Sequence, residues 1–317
     1  MKRRTLLALS AALPATPVVA QGRAISLVVP FAPGGSTDIA ARILAERIAY
    51  SLSQAVVVEN RPGAGGGVGS EYVKRARPDG QTLLFASASS HGVNPAVFRD
   101  LPYDALADFA AVALTGVTPL ALMVPPGGVA DPATLIARLA DGRGAYASAG
   151  VGSITHLAAE LFLARAGIRA EHIPYRGGGP AMEAVAKAEV PFGFETLATL
   201  HGPAKDNRVR LLALAAGRRS AAVADLVTLD EAGLGPFDIS TWNAVLAPAG
   251  TPASERVRLA AAIQRALAEP TVAARLSELG VAVPEPTGPE ETARFMAAEV
   301  QKFRAIADGA GLRLERP

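Results

Sequence analysis

Short apolar segments alternate with glycine-rich or serine-rich loops and with helical patterns along most of the chain. The segment Ile25 to Phe31 predicts a buried strand because it is short, continuous and rich in β-branched residues. Residues 55–58 and 82–86 repeat this pattern, and a loop and a helical segment follow residues 25–31 and 55–58. Such alternation is typical of an open parallel α/β sheet, in which ligands bind at the carboxyl ends of the strands.

A second series of the same kind occupies the middle of the sequence. It predicts strands at residues 144–148, 171–174, 191–195 and 209–215, with helices between them. Candidate strands at residues 112–115 and 120–124 link the two series, and three helical patterns close the chain. We therefore predict two lobes, each an open sheet with flanking helices, joined by crossovers near residues 117–125 and 241–250. The first lobe is expected to contain residues 21–120 and 246–317, and the second lobe residues 121–245.

The first twenty residues have the pattern of a signal peptide. A basic start, Met1 to Arg4, precedes the apolar stretch Leu6 to Leu13, and small or branched residues come before position 21. Pro14 and Pro17 argue against a buried first helix. We predict cleavage and export to a bacterial periplasm, by the general or the twin-arginine route. No later run approaches about 18 apolar residues, so the mature chain is not expected to be embedded in a membrane.

Charge and cysteine content exclude several classes of function. The full chain has 31 basic and 29 acidic residues, and three of the basic residues lie in the predicted leader. The mature net charge is therefore about −1, and no basic cluster with interleaved aromatic residues points to a nucleic-acid partner. The sequence has no cysteine, which excludes disulfides, thiolate metal sites and cysteine nucleophiles.

Motifs for catalysis and cofactor binding are weak. The glycine loop at residues 63–67 lacks the Gly-Lys-Ser/Thr of a phosphate loop, and Val68 occupies the last glycine position of a dinucleotide motif. The four histidines have no metal-binding spacing. Ser153 or Ser89 with a histidine keeps an exported serine hydrolase as an alternative, although no acidic partner is evident. We expect no enzymatic activity, metal or cofactor.

The loops offer main-chain donors instead. Gly34, Gly35 and the amides that open the helix at Thr37 predict a helix N-terminus suited to a carboxylate. Serine and histidine side chains at later strand ends add hydroxyl and imidazole groups. Each feature alone is equally explained by turn formation or helix capping.

Five segments, taken in order, carry a family resemblance. They are residues 29–38 (VPFAPGGSTD), 57–66 (VVENRPGAGG), 148–156 (SAGVGSITH), 173–178 (IPYRGG) and 240–252 (STWNAVLAPAGTP). Together they resemble the periplasmic receptors of tripartite tricarboxylate transporters, the Bug-type receptors, over nearly all of the mature chain.

The resemblance implies a type II-like periplasmic-binding-protein fold that closes on a small carboxylate or amino-acid-like solute. It also implies delivery of this solute to the membrane subunits of a permease, with a sensor-kinase system as the alternative partner. A mobile two-lobed receptor is most simply a monomer. The implied ligand-binding residues are, in the first lobe, Phe31, Pro33, Gly34, Gly35, Thr37, Asp38, Gly65, Gly66, Ser89 and His91, and, in the second lobe, Ser148, Ser153, His156, Tyr175 and Glu195.

One departure from the family pattern concerns the ligand. Pro191 replaces a usual Asp, and Glu195 stands where family members commonly have an Asp that senses the ligand. The longer carboxylate either pairs with an amine of the ligand or is a solvated residue at the end of a strand. The sequence therefore does not identify the solute.

Overall fold

The computed structural model describes residues 23–142, 144–285 and 287–309, together with residues 312 and 314. The predicted signal peptide lies outside the described residues. The strands in chain order are β1 Ile25–Val29, β2 Val56–Asn60, β3 Thr82–Ser87, β4 Phe109–Val124, β5 Gly144–Ser148, β6 Ala170–Pro174, β7 Phe192–Thr196, β8 Arg210–Leu214 and β9 Ser240–Pro248. The α-helices are α1 Ser36–Leu52, α2 Gly67–Lys74, α3 Asn94–Val97, α4 Pro132–Leu139, α5 Ile154–Ala166, α6 Gly178–Ala186, α7 Leu197–Lys205, α8 Ala253–Ala268, α9 Pro270–Glu278 and α10 Pro289–Gly309.

Two sheets share the long strand β4. The first sheet has the order β2-β1-β3-β9-β4, and the second continues from β4 through β7 and β5 to β6, with β8 also paired to β4. The pairs of β1 with β2 and β3, and of β5 with β6 and β7, are parallel, as predicted. Strands β4 and β9 run antiparallel to their neighbours, so each sheet is mixed. Helices flank both sheets, and the predicted α/β class is confirmed.

Strand β4 differs from the sequence prediction. Residues 112–115 and 120–124 are not separate strands but parts of one strand of 16 residues. Its first part pairs with β9, and its last part pairs with β7 and β8. Pro119 lies opposite Ser240, the first residue of β9, so its missing N–H falls where the first sheet ends. The strand therefore continues through Pro119.

The position at which the chain returns from the second sheet to the first also differs from the sequence prediction. The crossover expected near residues 241–250 is occupied by β9, which pairs along its length with β4 and along residues 243–246 with β3. The boundary expected between residues 245 and 246 thus falls inside a strand of the first sheet. We propose that the chain passes between the lobes within β4 and again just before Ser240.

Helix α1 positions the amides of the first lobe. It begins at Ser36, after a loop in which Gly34 has a φ of 86°, a conformation that favours glycine. Leu44 and Ile48, four residues apart, pack with α8 on the first sheet, and burial of each stabilises the fold by about 1.5–3 kcal/mol. The helix therefore holds its N-terminus firmly at the strand ends.

In the described part of the chain, no helix is both long and apolar enough to cross a membrane.

Candidate ligand-binding site

A small cavity lies between the two sheets, where the loops after β1, β3, β5, β6 and β7 meet. Its volume is about 30 Å³. The lining residues come from both lobes and are Phe31, Gly35, Ser36, Thr37, Ser87, Ser89, Ala149, Ile154, Thr155, Gly178, Glu195, Thr196 and Thr241. Strand ends of an open α/β sheet are the expected place for a ligand, and here two such edges face one another.

The lobes touch around this cavity. The N–H of Ala32 donates to the carbonyl of Arg176 at 3.3 Å, and the N–H of Ile154 donates to Oγ of Ser89 at 2.9 Å. A methyl group on Gly35 would lie 3.6 Å from the main-chain nitrogen of Gly178. The structure is therefore a closed form, in which a methyl group on Gly35 would just contact the main chain at Gly178.

The N-terminus of α1 opens into the cavity. Gly35 is its N-cap residue, and no side chain caps this 17-residue helix. The first N–H groups of a helix lack intrahelical acceptors and give the end a partial positive charge of roughly half a unit. Gly35 and Thr37, two of the residues predicted to bind an anion, thus lie where a carboxylate would accept these hydrogen bonds.

Asp38 and Gly34, both predicted to bind the ligand, do not line this cavity. The N–H of Gly34 donates to the Asp38 carboxylate at 3.0 Å, and the Arg42 Nε and Asn60 Nδ2 also donate to it. Burial alone would raise the pKa of Asp38, but these hydrogen bonds outweigh it and hold the pKa below its usual value. Asp38 therefore fixes the loop that contains Gly34.

Pro33 belongs to the same supporting group. Its carbonyl lies against Gly179 of the second lobe, where a methyl group would approach it to 3.2 Å. Pro33 is absent from the cavity lining, so its part in the structure is contact between the lobes.

Hydroxyl groups line the rest of the first-lobe wall. Oγ of Ser87 is buried and has no hydrogen-bond partner. Thr37 Oγ1 accepts a hydrogen bond from Nδ2 of Asn243 at 3.3 Å, and Thr241 lies beside it in the lining. A buried hydroxyl without a partner is unfavourable, so Ser87 is available to donate to a ligand or to an ordered water.

Glu195 is the charged side chain of the cavity lining. It lies in β7, 2% exposed, and its Oε1 accepts the N–H of Thr196 at 2.8 Å, while its Oε2 is buried without a partner. Burial raises the pKa of Glu195 to about 7, against hydrogen bonds from Thr196 and Thr199 that lower it. The prediction that Glu195 faces the ligand is supported by this placement, and a solvated position is excluded.

The Glu195 carboxylate also lies against the N-terminus of α6. A side chain at Gly178, the first residue of that helix, would overlap the carboxylate. Helix α6 has no side-chain cap, so a glycine there lets the carboxylate approach the helix end.

The loop after β5 has a supporting network behind the cavity. Oγ of Ser148 lies 2.6 Å from Nε2 of His172, and the N–H of Gly152 donates to Nδ1 of His156 at 3.2 Å. The two imidazole rings stack at 4.0 Å. Burial lowers the pKa of His156 to about 3 and of His172 to about 4, and the charge of His172 adds to the effect at His156. Both rings are therefore neutral near pH 7.

This network changes the roles predicted for three residues. Ser148 and His156 are bonded away from the cavity lining, and Ser153 caps α5 by accepting the N–H of His156 at 3.2 Å. Because Nδ1 of His156 is used by Gly152, it is not positioned as a base for Ser153. The contacts therefore do not assemble the Ser153 and His156 pair of the hydrolase alternative.

His91 is likewise not a lining residue. It is fully buried, with its ring 5.5 Å from Tyr103 and 4.6 Å from Phe109 between ring centroids. Burial lowers its pKa to about 3. The loop after β3 turns into a helical segment at Ser89, which directs Ser89 to the cavity and His91 into the aromatic core.

A second, larger opening borders the cavity. Its volume is about 220 Å³, and Phe31, Gly65, Gly66 and Tyr175 line it with neighbouring residues of both lobes. A methyl group on Gly65 would lie 2.8 Å from the carbonyl of Val151 in the second lobe, so the loop needs glycine here. The predicted residues Gly65, Gly66 and Tyr175 thus line this neighbouring opening.

Sequence reasoning counted Ser87 and Thr155 among the hydroxyl groups at strand ends, but it missed Gly178, Thr196 and Thr241 as lining residues. The two threonines lie at strand ends, and the direction of their side chains depends on side-chain alternation in the folded sheets. No group of three or more metal-binding side chains occurs among residues that the structure describes.

Known proteins are similar to this chain in sequence and in architecture. The sequence profile of the family described as "Tripartite tricarboxylate transporter family receptor" matches residues 40–312. The chain belongs to this receptor family. BugT of Bordetella pertussis (strain Tohama I / ATCC BAA-589 / NCTC 13251) is 35% identical over 297 residues, covering 92% of this chain and 91% of BugT.

Solved structures agree with the family assignment. The periplasmic binding protein BugD superposes with a TM-score of 0.89 at 28% identity, over 93% of this chain and 99% of BugD. MatC from Rhodopseudomonas palustris, solved with bound malate, superposes with a TM-score of 0.85 at 31% identity, over 92% of this chain and 99% of MatC. These matches confirm the Bug-type resemblance and the periplasmic-binding-protein fold. The family is one of solute-binding receptors, so this chain is a solute-binding protein.

Proposed function

We propose that the receptor is exported to the periplasm, binds a small carboxylate-containing solute between its lobes and delivers it to the membrane subunits of a tripartite-type permease. The observation that carries this proposal is the uncapped N-terminus of α1, which opens into a cavity closed by the second lobe. The malate bound to MatC supports the same class of solute.

Main-chain amides and hydroxyls hold the carboxylate in this proposal. The amides that begin α1 supply partial positive charge, and Ser87 supplies an unpartnered hydroxyl. Bridging waters are nearly as favourable as direct hydrogen bonds in such a site. Arg176 is exposed and contributes its carbonyl to the contact with Ala32, so its guanidinium is not needed.

A pair of variants tests this mode of recognition. Gly35 has φ −83° and ψ 166°, which an aspartate adopts without strain, and aspartate is a favourable N-cap residue. Gly35→Asp should therefore fold, fill the anion position with its own carboxylate and abolish binding. Arg176→Ala should weaken binding by about 1 kcal/mol or less, since its side chain is exposed.

The measurement is calorimetry with a solute first found by thermal-shift screening of small mono- and dicarboxylates. Binding that survives Gly35→Asp but is lost in Arg176→Ala would overturn the main-chain anion site. Delivery is tested by uptake of the same labelled solute into cells that produce wild-type receptor or Gly35→Asp. A receptor that changes transcription without changing uptake would instead serve a sensor kinase.

A further inference from the structure

Glu195 is the only ionisable side chain among the described residues that line the cavity. The groups that face it are uncharged: Ala121 opposite it on β4, Gly178 on α6, and Thr196 and Thr199 at the start of α7. From the first lobe, the uncharged residues Ser36 and Thr37 of α1 and Ser87 at the end of β3 also line the cavity. A buried carboxylate with no cation beside it calls for a partner from the ligand.

The two helix N-termini at the cavity that lack a side-chain cap, those of α1 and α6, differ in one respect. The end of α6 is already faced by the Glu195 carboxylate, whereas the carboxylate nearest α1, that of Asp38, is turned to Gly34 and Arg42 outside the cavity. The cavity therefore offers a positive end in the first lobe and a negative group with one unpartnered oxygen in the second.

We propose that Glu195 selects solutes that carry an ammonium group at the end opposite their carboxylate, so that this receptor prefers amino-acid-like zwitterions to dicarboxylates. The inference rests on the proposed function, because it assumes that the solute carboxylate lies at α1. A dicarboxylate would bring its second carboxylate against Glu195, and like charges in a buried site repel strongly. An ammonium in the same place donates to Oε2 and supplies the missing cation.

Binding of such a zwitterion has a signature in pH. Burial raises the pKa of Glu195 to about 7, so the free receptor holds a proton there in mild acid. An ammonium pairs with the ionised form, and that proton must leave on binding. The affinity should therefore fall about tenfold from pH 8 to pH 6, and binding near pH 7 should release about half a proton per solute bound.

The probes are matched pairs that differ only at the distal group: succinate with 3-aminopropanoate, glutarate with 4-aminobutanoate, and adipate with 5-aminopentanoate. Calorimetry at pH 8 compares wild type, Glu195→Gln and the control Glu183→Gln. Glu183 lies on α6 in an exposed ion pair with Arg208, so its substitution leaves the cavity unchanged.

We expect wild type and the control to bind at least one amino acid ten or more times tighter than its dicarboxylate partner. Glu195→Gln should reduce that ratio at least tenfold.

If wild type prefers the dicarboxylates, or if Glu195→Gln leaves the ratio unchanged, the inference is wrong and the proposed carboxylate receptor stands. If no member of any pair binds, the inference fails, and if the screen of small mono- and dicarboxylates also finds no ligand, the proposed function fails with it. The pH dependence of wild type needs no variant: an affinity for the bound amino acid that is constant from pH 8 to pH 6 would also overturn the inference.

Discussion

Replacing Glu195 by glutamine should stabilise the receptor without ligand at alkaline pH. The carboxyl group has a pKa of about 7 in the folded protein, raised by burial from its ordinary value of 4.5. Between these values the folded state binds more protons than the unfolded state, so the free energy of unfolding falls as pH rises. At about 1.4 kcal/mol for each unit of pKa, ionised Glu195 costs about 3 kcal/mol at pH 8.

Glutamine keeps the shape of the side chain and does not ionise. The free energy of unfolding of Glu195→Gln minus that of wild type should therefore rise by about 3 kcal/mol from pH 4.5 to pH 8. A constant offset, such as a weaker hydrogen bond from the amide, does not affect this change. The buried histidines titrate in both proteins and cancel in the difference.

Urea unfolding at four or more pH values measures this difference. Trp242 is the sole tryptophan, is 1% exposed and packs against Phe295 of α10, so its fluorescence reports loss of this buried packing. A difference that varies by less than about 1 kcal/mol over this pH range would refute the reasoning, because it would mean that Glu195 is not held in a desolvated site. A difference that shrinks as pH rises would refute it more directly.

Three further substitutions follow from the contacts of the first lobe. Asp38→Ala should lower the free energy of unfolding by about 2 kcal/mol, since it removes the acceptor of Gly34 and Arg42; a loss below about 0.5 kcal/mol in urea titration would contradict this role. Ser89→Ala should weaken solute binding about three- to tenfold by calorimetry, because the hydrogen bond from the N–H of Ile154 to Ser89 joins the lobes in the closed form. An unchanged affinity would show that this hydrogen bond does not favour closure. In His91→Phe, the loss of stability from pH 7 to pH 5 should be about 2 kcal/mol smaller than in wild type. The pKa of His91 is about 3 when folded and 6.5 when exposed, so acid protonates it in the unfolded state first; equal losses measured by thermal unfolding at both pH values would refute this.

Much of the architecture could be predicted because its signals are local. The apolar run at residues 25–31 contains strand β1. Helix α1 begins at Ser36, one residue before the predicted start at Thr37. Hydrophobic spacing and glycine-rich turns act over a few residues, so they are readable without knowing the partners. The same signals placed Gly35, Ser89 and Glu195 at the ends of strands or helices. The family resemblance implied that these residues bind the ligand, and in the structure they line the cavity.

Binding roles were harder to predict for side chains that can contact either a ligand or another part of the protein. His91 and His156 have the chemistry of ligand-binding residues, but their rings pack on aromatic neighbours or on His172. Asp38 was predicted to bind a ligand, and in the folded chain it accepts hydrogen bonds from the loop before it and from Asn60, 22 residues away. Residue type alone does not distinguish these roles, since the same group serves either a ligand or the protein.

The sequence by itself determined the α/β class, the two series of strands and the glycine-rich loops at their ends, because hydrophobic periodicity and turn chemistry are properties of short segments. Only the tertiary structure decided that residues 109–124 are one strand shared by both sheets, and that Ser89 bonds Ile154 across 65 positions of the chain. It also decided that one oxygen of Glu195 is buried without a partner. These features depend on which distant segments meet and how completely they exclude water, and burial and pairing of this kind arise only when the whole chain has folded.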